Sequence, residues 1–402
     1  MNHTPSSHRV HIAFYGRCNS GKSSLINALT GQEVAIVSDM VGTTTDLVSK
    51  PIELPGVGAT ILIDTPGLDD NTLLGNQRKA QTFKALDKTD IAVVLFHDND
   101  TSIEKSLIAQ LKAREIPVIG VISKCDTIQN RASFTAKVND IVGPDSIALS
   151  ATTKEGIDQL LARLASLSQQ EERLITEGLC SPGDMVVLVM PQDAQAPKGR
   201  LIKPQVEVIR ELLDRGCNTL CTTPEGLLSA LNTLNTPPQL IITDSQVFTT
   251  VNEIVEKYRQ QMGLPQLPLL TSFSILFARY KGDIDTFVEG GKKLLSLTSS
   301  SRVLIAEACS HIPQNEDIGR VKLPRMLRNR IGENLQIDIV GGNDFPEDLS
   351  QYDLVIHCGA CMFNRRHVMS RVAQAKAQNV AITNYGIAIA TLTGIIDKVN
   401  IK

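Results

Sequence analysis

The run GRCNSGKSS, residues 16 to 24, constrains this chain more than any other stretch. It satisfies G-x-x-x-x-G-K-S with Gly16, Gly21, Lys22 and Ser23, and lies between an apolar strand-like run, VHIAFYG, and a helical run that begins around Lys22. Phosphate binding needs this order. Backbone N–H groups of a tight loop surround the phosphates, a lysine neutralises the β and γ oxygens, and a serine hydroxyl reaches Mg2+. The expected nucleotide contacts are Gly16, Asn19, Ser20, Gly21, Lys22, Ser23 and Ser24.

Three further elements follow in order. DTPG at 64–67 ends a strand, where Asp64 can hold Mg2+ through water and the Gly67 amide can sense a γ-phosphate. SKCD at 123–126 is a variant of the guanine-reading N-K-x-D. In it Asp126 accepts both N–H groups of guanine, Lys124 packs along the base, and Ser123 replaces the usual Asn. Ser150 and Ala151 stand where a backbone amide would meet the guanine oxygen. Together they predict a GTP hydrolase. Leu68, not a glutamine, follows DTPG, so this motif carries no side chain to position the attacking water.

GRCNSGKSSLINAL together with SDMVGTTTD at 38–46 resembles the TrmE-Era-type branch of GTPases. The resemblance implies K+ held against the phosphates by Asn19 and a loop containing Ser38, Met40 and Thr43. It also implies Thr44 as the switch threonine on Mg2+, beside Ser23 and Asp64. K+ would then do the charge-stabilising work of an arginine finger, and slow, K+-stimulated hydrolysis through Lys22, Thr44, Asp64 and Gly67 is expected.

At 402 residues the chain exceeds one compact core. The first 170 or so residues alternate apolar runs (VHIAFYG, ATILIDTPG, DIAVVLFHD, IPVIGVISKCD, SIALSA) with helical ones, as an α/β domain with a mainly parallel sheet does. One helix is expected across LLARLASLSQQEERLITEGLC, with a boundary at SPGD near residue 180. A small second α/β segment follows, with strands MVVLVMP and QLIITD and Thr223 as a helix N-cap before Pro224. It carries no catalytic constellation and reads as a structural or subunit-pairing module. A third alternates RVLIAEACSH, LQIDIVGG, YDLVIHCGAC and NVAITNYG with helices. The expected domains are 1–175, 180–262 and 266–402.

Charge and hydropathy exclude some partners. A net charge of −3 gives no general field for nucleic acid, no tract of 18 uninterrupted apolar residues offers a membrane span, and the first residues lack a secretory pattern. A cytoplasmic protein is expected.

Cys309 with His311, and His357 with Cys358 and Cys361, form C-x-H…H-C-x-x-C at the ends of two apolar runs. In an open parallel sheet such ends line the ligand crevice. Buried core cysteines, a Cys₃His zinc site and an iron–sulfur cluster with one iron free for a non-cysteine ligand all suit these residues. Cys18, Cys125, Cys217 and Cys221 read as core or surface thiols.

The combination of this GTPase segment, MPQDAQAPKGRLIKPQ at 190–205 and the terminal cysteine pattern resembles the [FeFe]-hydrogenase maturation GTPases, the HydF family, over the whole chain. The resemblance implies a P-loop GTPase domain, a small α/β domain that forms a homodimer, and a parallel-sheet α/β domain with a [4Fe–4S] cluster on Cys309, Cys358 and Cys361. His311, His357 and Glu316 are the implied choices for the fourth iron position. The family acts as scaffold or carrier: it receives a di-iron precursor assembled with two radical-SAM maturases and delivers it to apo-[FeFe]-hydrogenase. The rival is an RNA-directed GTPase of tRNA-modification or ribosome-assembly type with a structural zinc. No G-x-x-G occurs for a KH-type clamp, and the one basic stretch, VKLPRMLRNR, is short.

Overall fold

The structure is a computed structural model that describes residues 6–31, 48–69, 82, 84–168, 173–192, 201–264, 266–308, 317–342 and 344–400. The chain forms two compact units, Met1–Glu172 and Arg173–Lys402.

The first unit is a six-stranded sheet in the order β2-β3-β1-β4-β5-β6. Its strands are β1 (Val10–Tyr15), β2 (Val48–Leu54), β3 (Gly58–Asp64), β4 (Ile91–Phe96), β5 (Val118–Ile122) and β6 (Ile147–Ala148). The period of two along each strand divides the core into two faces. Ile12 and Phe14 of β1 pack with Leu25, Ile26, Leu160 and Leu164, from helices Lys22–Thr30 and Ile157–Ser168. Ala13 and Tyr15 pack with Leu107, Leu111, Phe134 and Val138, from helices Ser102–Ala113 and Arg131–Val142.

Two differences from the sequence expectation stand out. β2 pairs antiparallel with β3 at the sheet edge, where Pro51 is tolerated because its missing N–H faces no partner strand. The helix expected across 160–180 ends at Ser168. In the second unit, Glu211 accepts the Ile175 N–H at 2.5 Å and the Thr176 N–H at 2.8 Å, so these groups serve a turn instead of a helix ladder.

The second unit holds two four-stranded sheets, each wholly parallel. One has the order β10-β9-β7-β8, from β7 (Met185–Val189), β8 (Asn218–Thr222), β9 (Leu240–Thr243) and β10 (Leu269–Ser272). The other has the order β12-β11-β13-β14, from β11 (Arg302–Ala306), β12 (Gln336–Val340), β13 (Leu354–His357) and β14 (Ala381–Asn384). Because β10 pairs with β9, the middle sheet continues past the boundary read at 262–266. The regular helix after Thr223 begins at Leu227, and Thr223 caps the turn that leads into it, its carbonyl and its Oγ1 accepting the Gly226 N–H at 3.1 and 3.4 Å.

The two sheets share one core. Val187, Ile241 and Val251 belong to the same apolar cluster as Ile275, Phe287, Leu304, Val355 and Ile382. Helix Ile284–Leu294 lies so close to β14 that a Cβ on Gly290 would sit 2.0 Å from the Ile382 carbonyl oxygen; only glycine fits. Among the described residues, no helix is long and apolar enough to cross a membrane.

Candidate nucleotide and metal sites

The nucleotide loop leaves β1 at Tyr15 and enters helix Lys22–Thr30 through two left-handed residues, Asn19 at φ +59° and Gly21 at φ +94°. Such alternation turns successive N–H groups inward and forms an anion cradle at a helix N-terminus. Lys22 is buried, and its Nζ donates to the Gly16 carbonyl at 3.0 Å and the Arg17 carbonyl at 2.8 Å. Burial lowers its pKa against the opposing pull of Asp64, Cys18 and Asp69. Phosphate oxygens would supply the anionic partners that this ammonium lacks.

Asp64 closes β3, and its Oδ2 accepts from Ser23 Oγ at 2.8 Å while its buried Oδ1 has no hydrogen-bond partner. Burial raises its pKa, with Ser23 and Lys22 opposing. A hydroxyl beside an under-satisfied buried carboxylate fits Mg2+. Gly67 packs on the phosphate loop, where a Cβ would lie 2.2 Å from Cys18 Sγ and 2.8 Å from Cys18 N. Leu68 N–H donates to the Gly16 carbonyl at 3.2 Å, and Cys18 N–H donates to Asp69 Oδ1 at 2.6 Å. The DTPG segment is thereby tied to the loop.

At the base-reading end, Lys124 takes φ +52° and its Nζ donates to the Asn19 carbonyl at 2.7 Å, joining the two loops. Cys125 N–H donates to the Leu149 carbonyl at 3.1 Å, which sets exposed Asp126 beside the loop of Ser150 and Ala151. Ser123 is buried, and its N–H donates to the Phe96 carbonyl at 2.9 Å. Ser123 therefore joins strand ends and does not reach the phosphate loop as an asparagine could. Thr44, Ser38, Met40 and Thr43 lie outside the described residues, which leaves Asn19 as the described member of the expected K+ set and Ser23 and Asp64 as the described members of the Mg2+ set.

One anchor was not read from sequence. Arg17 donates through Nε to Glu104 at 3.1 Å and through a terminal nitrogen to Asp100 at 2.9 Å, fixing the outer wall of the loop. Its separation from both carboxylates along the chain hides the pairing.

The cysteine loop is built on β11 and β13, whose parallel register sets Ala306 beside His357. Cys358 is the first residue past β13; its N–H donates to the Ala306 carbonyl at 2.9 Å. Its Sγ accepts N–H from Ala308 at 3.0 Å and from Ala360 at 3.4 Å. Two amides aimed at one sulfur stabilise thiolate, so half-exposed Cys358 and Cys361 fit a thiolate-held metal group. Cys309, His311 and Glu316 lie outside the described residues. Among the described residues, no three His, Cys, Asp or Glu side chains gather as a metal site.

His357, expected among the metal ligands, is committed elsewhere. It is 1% exposed; its Nδ1 pairs with the Cys358 carbonyl at 2.8 Å and its Nε2 with Arg371 at 3.0 Å. A carbonyl accepts only, so Nδ1 carries the proton and Nε2 accepts from the guanidinium. Burial, then the Arg371 charge, lower its pKa to about 3. Both nitrogens are used, and the ring is a strut inside the fold.

Cationic side chains hold the same loop from outside its sheet. Lys281 Nζ donates to the Ala360 and Phe363 carbonyls, each at 3.0 Å, and Lys203 Nζ donates to the Cys361 carbonyl at 3.2 Å. Arg365 donates to the Gly282 carbonyl at 2.6 Å.

Comparison with known proteins agrees with this geometry. Three family models match: a 50S ribosome-binding GTPase over residues 11–124, the hydrogen maturase F dimerization domain over 175–282, and the hydrogen maturase F tetramerization domain over 285–401. The first unit is also similar to the tRNA modification GTPase MnmE of Xanthomonas euvesicatoria pv. vesicatoria, 33% identical over 160 residues, 40% of this chain and 34% of that protein. MnmE of Laribacter hongkongensis is 37% identical over 157 residues, 38% of this chain and 33% of that protein. The chain thus spans about a third of the length of these curated relatives. Among solved structures, Aquifex aeolicus Era bound to GDP.AlF4- has a TM-score of 0.34 at 19% identity, covering 53% of this chain and 93% of that one. The G domain of T. maritima FeoB has a TM-score of 0.31 at 24% identity, covering 40% of this chain and 100% of that one. The first unit is a P-loop GTPase domain that binds GTP, and the rest of the chain carries oligomerization domains.

Proposed function

Because the chain belongs to the hydrogen maturase F family, whose dimerization and tetramerization domains follow its GTPase domain, we propose that it is a GTP-regulated scaffold in [FeFe]-hydrogenase maturation. In this reading Cys309, Cys358 and Cys361 hold a [4Fe–4S] cluster, and the cargo is a di-iron precursor. That cargo arrives from two radical-SAM maturases and leaves to apo-[FeFe]-hydrogenase.

The observation that carries the reading is the Cys358 loop: two thiols at the carboxyl end of β13, with the Ala308 and Ala360 amides on one sulfur. Hydrogen bonds to cluster sulfurs and cysteine thiolates are a principal means by which proteins stabilise such groups. When bound, the cluster supplies one iron position not taken by cysteine, at which cargo can dock. With His357 engaged within the fold, Glu316 and His311 are the remaining side chains for that position.

GTP acts on this traffic through the first unit. Lys22 meets the phosphates, Ser23 with Asp64 and Thr44 would hold Mg2+, and Asn19 with the 38–43 loop would hold K+. Binding of the γ-phosphate would order the segments around Thr44 and Gly67 and alter a partner-facing surface. The homodimer is assigned to the module that begins near residue 180.

The test is metal content with EPR on protein purified and reconstituted without oxygen, comparing wild type with Cys309→Ala and Cys358→Ala. The expected result is about four iron and four sulfide per wild-type chain, with the reduced-cluster signal lost in both variants. One tightly held zinc and no reconstitutable cluster would overturn the proposal.

A further inference from the structure

The loop at 358–364 turns at Ala360, a non-glycine residue held at φ +52°. Strain of that kind persists only where the surroundings impose it. Besides the bonds made within the loop's own segment, side chains from the segment matched by the dimerization domain hold this turn. Lys281, the last residue of helix Phe273–Lys281, is 1% exposed and donates to a carbonyl inside the C-x-x-C turn, Ala360, and to one just past it, Phe363. Lys203, the first residue of helix Lys203–Asp214, donates to the carbonyl of Cys361 itself.

Burying an ammonium this deeply is unfavourable unless its charge is used. Two carbonyls at 3.0 Å are the partners that a buried ammonium needs, and they hold Lys281 Nζ at the loop that carries the two sulfurs. Its ammonium also lies over the Phe277 ring, with Nζ 5.4 Å from the ring centre. A buried apolar side chain could fill that space; it could not grip two carbonyls and place a positive charge at the cysteine turn.

We propose that Lys281 and Lys203 are positioning residues of the cluster site, fixing the Cys358–Cys361 turn and raising the reduction potential of the group it holds. The inference rests on the cluster reading above. Each electron added makes a thiolate-bound cluster more negative, and nearby fixed cations favour the reduced form. A site completed by two lysines of the preceding domain also cannot be held in its native shape by residues 285–401 alone.

The experiment is a potentiometric EPR titration of the reconstituted full-length protein, with iron counted in the same samples, for wild type, Lys281→Met and Lys203→Met. Methionine keeps the stem and removes the charge and the hydrogen bonds. Both variants are expected to load iron and to show a midpoint potential below that of wild type, with altered g-values. Lys203→Met changes a half-buried residue and gives the deciding comparison if Lys281→Met does not fold. Variants with wild-type iron content and wild-type potential would overturn the inference and leave the cluster reading intact. Wild-type protein that takes up no iron would remove both.

Discussion

Arg371 donates to Nε2 of His357 at 3.0 Å, and the same guanidinium lies between the rings of Phe345 and Phe363, 4.6 and 4.7 Å from their centres. It also donates to the Gly342 carbonyl at 2.5 Å. This buried cation therefore ties β13, the cysteine loop and the segment after β12 together. Arg371→Ala should lower the unfolding free energy of the second unit by on the order of 3 kcal/mol, read from denaturant midpoints. His357→Gln, which can still donate and accept, should cost less and leave iron per chain unchanged; a loss of iron at full folding would restore His357 as a ligand.

Asp126 presents an exposed carboxylate on a loop tied to that of Ser150. A carboxylate accepts from the two N–H groups of guanine, whereas an amide offers donors that suit the carbonyl of xanthine. Asp126→Asn should weaken GTP binding by at least about tenfold and improve XTP binding. Nucleotide titrations of both proteins would decide it, and an unchanged preference would remove Asp126 from the base pocket.

Gly67 has no room for a side chain, because the added Cβ would meet the backbone nitrogen of Cys18 as well as its sulfur. Gly67→Ala must displace either the DTPG segment or the phosphate loop. GTP turnover should fall by about a hundredfold with little change in helix content. Removing the sulfur by Cys18→Ala in the same chain should not restore it, since the backbone contact remains.

Asp283 caps helix Ile284–Leu294 by accepting from Thr286 N–H at 3.1 Å, and it pairs with Lys376 at 2.8 Å. Burial would raise its pKa, but the bonds from Lys376 and from Thr286 outweigh that and hold it down to about 2. A carboxylate depressed by folding contributes fully above its unfolded pKa, roughly 3.9, and the contribution is lost as pH falls through the folded value. Asp283→Ala should therefore cost about 1 to 2 kcal/mol at pH 7, with the gap to wild type narrowing between about pH 4 and pH 2.

Asn19 is exposed at the rim of the phosphate loop, and no glutamine follows DTPG. Charge at the transition state is expected to be met by K+. Hydrolysis in KCl should exceed that in NaCl at equal ionic strength, and Asn19→Ala should abolish the difference. Equal rates in both salts for wild type would count against a cation in this role.

Much of the fold was legible because β1, β4, β11 and β13 are buried on both faces and read as unbroken apolar runs. β2, β8 and β10 were not legible, the last because it lies past the boundary read at 262–266. β2 carries Pro51 and charged residues on an open edge, and β8, NTLCT, is a half-exposed edge strand; neither shows the apolar run of a central strand. In the nucleotide site, local spacing is the chemistry, so the motif alone names its residues. The cysteine loop is different. His357 and Cys358 are neighbours in sequence, yet one is the last residue of a buried strand and the other the first beyond it, so only the strand boundary separates strut from donor. Lys281 and Lys203 belong to no motif, and only tertiary packing turns their ammonium groups onto loop carbonyls.

The apolar core that the two sheets share has a consequence for inheritance. The boundary between the two family domains falls at 282–285, in the turn between helices Phe273–Lys281 and Ile284–Leu294, yet the apolar cluster that includes Ile275, Phe287 and Ile382 crosses it. A recombination event at that turn would join two surfaces that had never been fitted to each other, and a side chain in place of Gly386, whose Cβ would meet Ser274 and Ile275 of the preceding segment, would hold them apart. Parting the chain at that turn would leave each half with apolar surface open to water.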